Sequence, residues 1–98
     1  MNALSLGSCV KAGGDVAFRD LDGEMVLLDL RSGVYFSLDA VGARIWQLLQ
    51  QPASLDRVRD ALVDEYEVSA LRCAVDLLAF VAVLRDKELV EVAVGPGA

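Results

Sequence analysis

Few side chains in this sequence of 98 residues could do covalent chemistry. There is no histidine, which removes the usual general base and the commonest metal ligand. The candidates that remain for a catalytic site are Ser32, Ser37, Asp39 and Asp76. No nucleophile elbow, glycine-rich phosphate loop or carboxylate pair at catalytic spacing accompanies them, and roles in a turn, a helix cap and a salt bridge account for all four. We therefore expect no enzyme, no catalytic residue and no cofactor.

The two cysteines do not indicate a metal or redox site. Cys9 and Cys73 lie far apart in the sequence and outside any C-x-x-C spacing, so we expect two reduced, buried thiols and no bound metal. Residues 1–14 lack the basic start and long apolar core of a signal peptide, and the apolar run at residues 77–84 is far shorter than a membrane span. The sequence therefore predicts a cytoplasmic protein that does not contact membranes.

Charge and hydrophobicity favour a peptide or protein as the partner. The net charge of −6 argues against nucleic acid, because affinity for a phosphate backbone comes from clustered lysine and arginine. Hydrophobic residues make up 55% of the chain, which is more than we expect a soluble domain of this size to bury internally. We therefore expect one domain over residues 1–98, with an apolar groove or an oligomer contact on its surface.

The order of strand and helix patterns predicts an α+β fold that resembles a winged helix-turn-helix. Apolar and β-branched runs separated by turn residues predict a three-stranded antiparallel meander over residues 16–20, 24–29 and 34–38. Apolar residues at helical spacing predict three helices, over residues 40–50, after Ser54 through Tyr66, and over residues 70–87. Their expected N-caps are Asp39, Ser54 and Ser69, and a short strand is expected at residues 89–92. Residues 1–14 are rich in glycine and serine and are expected to form an irregular extension.

Residues 24–46, EMVLLDLRSGVYFSLDAVGARIW, resemble the PqqD-like family, which contains the recognition elements of ribosomally synthesised peptide pathways (RiPP recognition elements). The shared pattern is a VLLD strand, an R-S-G turn, an aromatic strand, S-L-D and a G-A-R-I-W helix, and the resemblance extends over roughly residues 16–90. The turn is more similar to stand-alone members from lasso-peptide clusters than to members that serve quinone-cofactor synthesis, which tend to carry Pro-Glu-Gly. Glu88 departs from the family, which often has glycine there to end the third helix.

This resemblance implies a recognition protein without enzymatic activity in a lasso-peptide pathway. In such proteins the leader of a precursor peptide adds to the third strand of the meander and lies against the third helix. The partners it implies are the precursor leader peptide, a leader peptidase of the transglutaminase-like type and, less directly, an ATP-dependent cyclase. The alternative within the family is a PqqD-type peptide chaperone for quinone-cofactor synthesis.

The residues themselves allow the same placement. The strand at residues 34–38 ends the meander and lacks the lysine and proline that usually protect an open edge, so another strand could pair with it. On the third helix we assign one apolar arc to the core, namely Leu71, Ala74, Val75, Leu78, Val81 and Ala82. A second arc contains Cys73, Leu77, Phe80 and Leu84. We assign it to a surplus surface, meaning apolar surface beyond what the core needs. The predicted peptide-binding residues are Val34, Tyr35, Phe36, Ser37, Leu38, Cys73, Asp76, Leu77, Phe80 and Leu84.

Three alternatives stay open at this point. Both apolar arcs would be buried if the sheet and the other helices enclose the third helix. A winged-helix transcription regulator would insert this helix into the major groove, but it should then display Arg, Lys, Asn or Gln, and the sequence offers Asp76, Phe80 and Val83. The edge strand could also pair with a second copy of the chain to form a homodimer.

Overall fold

The computed structural model describes residues 4–93, and within them the chain forms six strands and three helices. The strands are β1 (Cys9–Ala12), β2 (Val16–Leu21), β3 (Glu24–Asp29), β4 (Tyr35–Leu38), β5 (Ala53–Ser54) and β6 (Val90–Ala93). The helices are α1 (Ala40–Leu48), α2 (Leu55–Tyr66) and α3 (Ala70–Asp86). The predicted α+β class, with a meander followed by three helices and a late strand, is confirmed.

The strands β2, β3 and β4 form the predicted antiparallel meander, in that order. The β2–β3 hairpin turns through Asp22 and Gly23, whose φ angles of 56° and 89° suit a two-residue turn that matches the twist of the strands. In the turn between β3 and β4, the buried carboxylate of Asp29 accepts hydrogen bonds from the amide of Arg31 and the hydroxyl of Ser32, both at 3.0 Å. This local network sets the direction in which β4 leaves the turn.

A second antiparallel sheet, in which β1 lies between β5 and β6, was not predicted. Residues 1–14 were expected to form an irregular extension with some order against the sheet, and the structure shows a regular strand at Cys9–Ala12, where Val10 is fully buried. The partners of Val10 are Ala53 and Val92, which are distant in the sequence, so no local pattern marks β1 as a strand. Residues 1–3 of that extension and residues 94–98 of the expected domain lie outside the described residues.

The predicted caps precede the helices. Asp39 accepts a hydrogen bond from the amide of Gly42 (2.8 Å), and Ser69 accepts one from the amide of Arg72 (3.1 Å). Both side chains thereby satisfy an N–H group that the first helical turn leaves free. Ser54 precedes α2 with an extended backbone, but its hydroxyl donates to a nearby carboxylate and caps no amide. Both α1 and α3 end slightly earlier than predicted.

The end of α3 is a C-terminal cap in which glutamate takes a position that glycine usually holds. Glu88 has a φ of 59°, and the amides of Glu88 and Leu89 donate to the carbonyls of Arg85 and Leu84, both at 2.9 Å. These are the two hydrogen bonds of a Schellman motif, whose left-handed residue is most often glycine. The helix is therefore terminated by this motif without a glycine, with backbone strain at Glu88.

Buried residues from both sheets and all three helices form one hydrophobic core. Trp46 is completely buried and meets the ring of Phe18 edge-on, with 6.0 Å between the ring centroids. Trp46 is thus a core anchor that ties α1 to the meander. No helix within residues 4–93 is long and apolar enough to cross a membrane.

The predicted directions of the two apolar arcs of α3 are only partly confirmed, because Ala74 and Val81 of the core arc are buried as expected. Cys73, Leu77 and Leu84, which we assigned to the surplus surface, are buried. Leu71 and Val75, which we assigned to the core, are 79% and 58% exposed, so the alternative with both arcs buried is wrong as well. A helical wheel gives the width of an apolar face, whereas its direction depends on how α2 and β6 pack against α3.

Candidate functional site

The strand β4 has an open edge, because it pairs with β3 on one side and no other strand within residues 4–93 pairs with it. The amide of Asp29 donates to the carbonyl of Val34 at 3.0 Å, which makes these two residues a hydrogen-bonded pair. Such pairs alternate along antiparallel strands, so Phe36 bonds to β3 whereas Tyr35 and Ser37 do not. The amides and carbonyls of Tyr35 and Ser37 therefore point toward the open edge.

A groove of about 570 Å³ begins beside β4 and runs between α1 and α3 to the C-terminal end of α2. It is lined by Ser37, Leu38, Asp39, Val41, Gly42, Ile45, Leu62, Tyr66, Val68, Arg72, Cys73, Asp76, Leu77 and Phe80. Most of these residues are apolar, and the charged ones are two aspartates and one arginine. The groove therefore suits apolar side chains, and the adjacent strand edge offers backbone hydrogen bonds.

The groove contains part of the predicted peptide-binding set. The predicted residues that line it are Ser37, Leu38, Cys73, Asp76, Leu77 and Phe80. Val34 and Tyr35 are exposed and do not line the groove, and Phe36 is half-buried with the ammonium of Lys87 5.4 Å from its ring centroid. Leu84 is only 3% exposed and belongs to the core, because α3 turns this residue inward.

The wall of the groove that faces α3 was not predicted from the sequence. This wall is formed by Val41, Gly42 and Ile45 of α1, together with Leu62 and Tyr66 of α2. The helical pattern marks most of them as apolar positions, but it does not distinguish a groove wall from a core contact. They become a common surface only when α1 and α2 are placed opposite α3.

An ion pair fixes α1 to the end of α2. The guanidinium of Arg44 donates to both carboxylate oxygens of Glu65, each at 2.8 Å. These charge-assisted hydrogen bonds lower the pKa of Glu65 and raise the pKa of Arg44. The pair lies next to Tyr66, and it therefore holds the far end of the groove wall in place.

The charged groups that line the groove already have partners. Asp76 accepts a hydrogen bond from Arg72, one helical turn earlier, at 3.2 Å, and both side chains are largely exposed. Asp39 is engaged by the amide of Gly42 as the cap of α1. With two carboxylates and one guanidinium the lining is net negative, which suits a neutral or basic ligand.

The thiol of Cys73 is not prepared for covalent chemistry. Burial raises its pKa, so the thiol stays protonated at neutral pH, and it donates to the carbonyl of Arg59 at 3.9 Å. Cys9 and Cys73 are both free. Within residues 4–93 there is no cluster of three His, Cys, Asp or Glu side chains that could hold a metal ion. What the described groove offers is a binding surface.

The exposed face of α3 does not resemble a helix that reads DNA. Leu71, Val75 and Val83 are among its exposed side chains, and none of them can hydrogen-bond to base edges. Arg72 is exposed but lies in an ion pair with Asp76. The surface of α3 is therefore mainly apolar where a regulator would need donors and acceptors.

Comparison with known proteins identifies similar chains. The family model of coenzyme PQQ synthesis protein D (PqqD) matches residues 24–90. TbiB1 in complex with the TbiA(beta) leader peptide is 42% identical and has a TM-score of 0.78, with 83% of this chain and 94% of that chain covered. A lasso peptide synthetase B1 complexed with the leader peptide is 32% identical and has a TM-score of 0.75, with 84% of this chain and 96% of that chain covered.

A more distant likeness concerns the fold alone. The tRNA-dependent lantibiotic dehydratase MibB from Microbispora sp. 107891 is 22% identical and has a TM-score of 0.60. The match covers 93% of this chain but 9% of the dehydratase, so the same fold also occurs within a much larger protein. No match is found among curated proteins.

Proposed function

This chain belongs to the family of coenzyme PQQ synthesis protein D (PqqD), and we propose that it is a non-catalytic RiPP recognition element that binds the leader peptide of a ribosomally made precursor. The observation that carries this proposal is the open edge of β4 beside the apolar groove. TbiB1 and the lasso peptide synthetase B1, both complexed with leader peptides, support the same ligand class. The pathway we propose is therefore the synthesis of a lasso peptide.

Strand addition explains how such a ligand gains affinity. An extended peptide can bond to the outward amides and carbonyls of Tyr35 and Ser37, whatever its sequence. These bonds are made by every extended peptide, so sequence selection has to come from side chains. Alternate side chains of an added strand point to one face, and on the inner face they meet the groove beside Ser37 and Leu38.

The groove supplies the selective part of the site. Its floor at Cys73 and Leu77 is buried and apolar, and the partly exposed ring of Phe80 stands at its side. Asp76 at the rim adds a negative group for a basic side chain or an amide of the peptide. We propose Ser37, Leu38, Cys73, Asp76, Leu77 and Phe80 as the contacts of the leader, with Tyr35 contributing backbone bonds.

The proposal extends to the next partner in the pathway. A recognition protein without catalytic groups has to deliver its peptide, and we propose that it presents the precursor to a leader peptidase of the transglutaminase-like type and then to an ATP-dependent cyclase. Exposed apolar side chains outside the groove, among them Leu71 and Val75, leave a surface available for a second protein. Pairing of two copies through β4 would compete with leader binding, because both use the same edge.

Titration of the purified protein with labelled peptides tests this function. Fluorescein-labelled leader peptide of the precursor encoded beside the gene of this protein is compared with the TbiA(beta) leader, a precursor peptide from a quinone-cofactor pathway and a scrambled leader, by fluorescence anisotropy. We expect saturable binding of the leader encoded beside the gene and no binding of the scrambled peptide. Tighter binding of the peptide from the quinone-cofactor pathway would instead assign the protein to quinone-cofactor synthesis. No binding of any leader would contradict the proposed function.

A further inference from the structure

We propose that Gly42 determines the size of the peptide side chain that the groove accepts, because it allows the ring of Phe80 to lie against α1. This inference rests on the proposed leader binding and adds a specificity-determining residue to it. Gly42 lies in the first turn of α1, is buried, and lines the groove together with Phe80. A glycine inside a helix is unfavourable relative to alanine, so its presence here requires a packing reason.

A side chain at residue 42 would be packed more tightly than is usual. A Cβ atom at this residue would lie 3.2 Å from Cζ of Phe80, 3.3 Å from Cβ of Leu38 and 3.3 Å from Oδ1 of Asp39. The two distances to carbon atoms, Cζ of Phe80 and Cβ of Leu38, are shorter than the optimal separation of about 3.5–4.0 Å between non-bonded carbon atoms. Cβ of Leu38 is attached directly to the backbone, and Asp39 is held by the amide of Gly42 at 2.8 Å. The ring of Phe80 is therefore the group that has to move.

The ring of Phe80 cannot move into the core. On the inner side of α3 the side chains of Leu77, Val81 and Leu84 are almost completely buried. A close-packed core has no space for a displaced ring. A methyl group at residue 42 would therefore shift the ring of Phe80, which lines the groove, and we expect this shift to reduce the space left for a peptide side chain. With glycine at this position, we expect the groove to accept a larger apolar side chain of the peptide.

This role separates binding from stability. Alanine favours a helix more than glycine does, which offsets the tight contact with Phe80, so Gly42→Ala should unfold close to the wild-type temperature. If Gly42 had only a structural role, its substitution would not change leader affinity while the stability of the protein stayed the same. Gly14 provides a matched control, because a Cβ atom there would meet nothing within 4 Å.

The experiment is a double-mutant cycle read by anisotropy with the labelled leader peptide of the precursor encoded beside the gene. Gly42→Ala should weaken binding about tenfold, whereas Gly14→Ala should change it by less than about twofold. In a Phe80→Leu background, whose shorter side chain leaves room for the methyl group, adding Gly42→Ala should weaken binding by less than about twofold. The role of Gly42 would be overturned if Gly42→Ala reduced leader affinity as much in the Phe80→Leu background as in the wild type. It would also be overturned if Gly42→Ala did not reduce leader affinity in the wild-type background.

An alanine scan of the peptide identifies the side chain concerned. Truncation of the residue that enters the groove should remove the difference between the wild-type protein and Gly42→Ala, and a difference that persists for every scanned peptide would exclude size selection. Should Gly42→Ala fail to fold, folding of the Gly42→Ala Phe80→Leu double variant supports the contact, and failure of both variants refutes it. Absence of binding by the wild-type protein refutes the proposed function itself, which distinguishes the two failures.

Discussion

At the scale of single residues, Phe80 is the large side chain that stands between the groove and the core. It is partly exposed, lines the groove and packs against buried neighbours, so a ligand can cover it completely. We predict that Phe80→Ala weakens leader binding by about 2 kcal/mol or more, which is roughly thirtyfold. The matched control is Val83→Ala, which truncates an exposed residue of the same helix outside the groove. Equal affinities of the two variants, with native circular dichroism, would place the binding site elsewhere.

The carboxylate of Asp76 should contribute less to leader affinity than the ring of Phe80 does. It is exposed and already paired with Arg72, and exposed ion pairs contribute about 1 kcal/mol or less. We predict that Asp76→Asn weakens binding of a basic leader by less than about tenfold at low salt, and by less still at high salt, because salt screens exposed charges. Titrations at two salt concentrations measure this effect. The control is Asp86→Asn, because Asp86 is an exposed residue of the same helix that lies outside the groove. This substitution should leave leader affinity unchanged at both salt concentrations.

At the scale of elements, the edge of β4 should be required for binding through its backbone. The alternation of hydrogen bonds between β3 and β4 leaves the amide of Tyr35 pointing toward the open edge. Proline at residue 35 removes this donor and preserves the hydrogen bonds of Phe36 to β3. We predict that Tyr35→Pro abolishes measurable leader binding whereas Tyr35→Ala, which keeps the amide, binds nearly as well as wild type. If both variants fold and bind equally, strand addition at this edge is refuted.

The C-terminal cap of α3 offers a prediction about stability alone. Glu88 has a left-handed backbone, and this conformation costs a residue with a Cβ atom about 1 kcal/mol. We predict that Glu88→Gly raises the free energy of unfolding by up to about 1 kcal/mol, measured by urea denaturation. Glu88→Ala removes the same carboxylate but keeps the strain, so it should give no gain. A gain of equal size in both variants would mean that charge, and not backbone strain, is responsible.

At the scale of the whole molecule, stability should depend on Asp29 at acid pH. The hydrogen bond from the amide of Arg31 lowers the pKa of this carboxyl, and it outweighs the effect of burial, which raises it. Since the folded pKa lies below the unfolded value of about 3.9, the stabilisation is present above about pH 4 and is lost as the pH falls through the folded pKa.

Comparison of the wild type with Asp29→Asn measures this contribution. The wild type should exceed the variant in free energy of unfolding at neutral pH, and the difference should shrink as the pH falls below about 4. The carboxyls of Glu65 and Asp56, whose pKa values are also lowered, are present in both proteins and largely cancel in the difference. If the difference in free energy of unfolding stayed constant from neutral to acid pH, the contribution of Asp29 to stability would not depend on its charge.

The sequence by itself determined the features that depend on neighbouring residues. The hairpin at Asp22 and Gly23, the caps at Asp39 and Ser69, and the edge position of β4 all follow from short stretches of chain. In each case a few adjacent residues supply the required φ angle, hydrogen-bonding group or strand order. The position of Ser37 on an edge strand could be predicted for the same reason, since a meander ends at an edge.

Only the tertiary structure decided which faces meet. The apolar residues of α3 surround most of the helix, so their pattern cannot select a direction, and the packing of α2 and β6 places Leu84 inside and Leu71 outside. Strand β1 depends on partners from two distant parts of the chain. The groove is the space left between α1 and α3. The tight fit of Gly42 against Phe80 forms only when both helices are in place. Both features depend on distances between elements, which no local sequence pattern encodes.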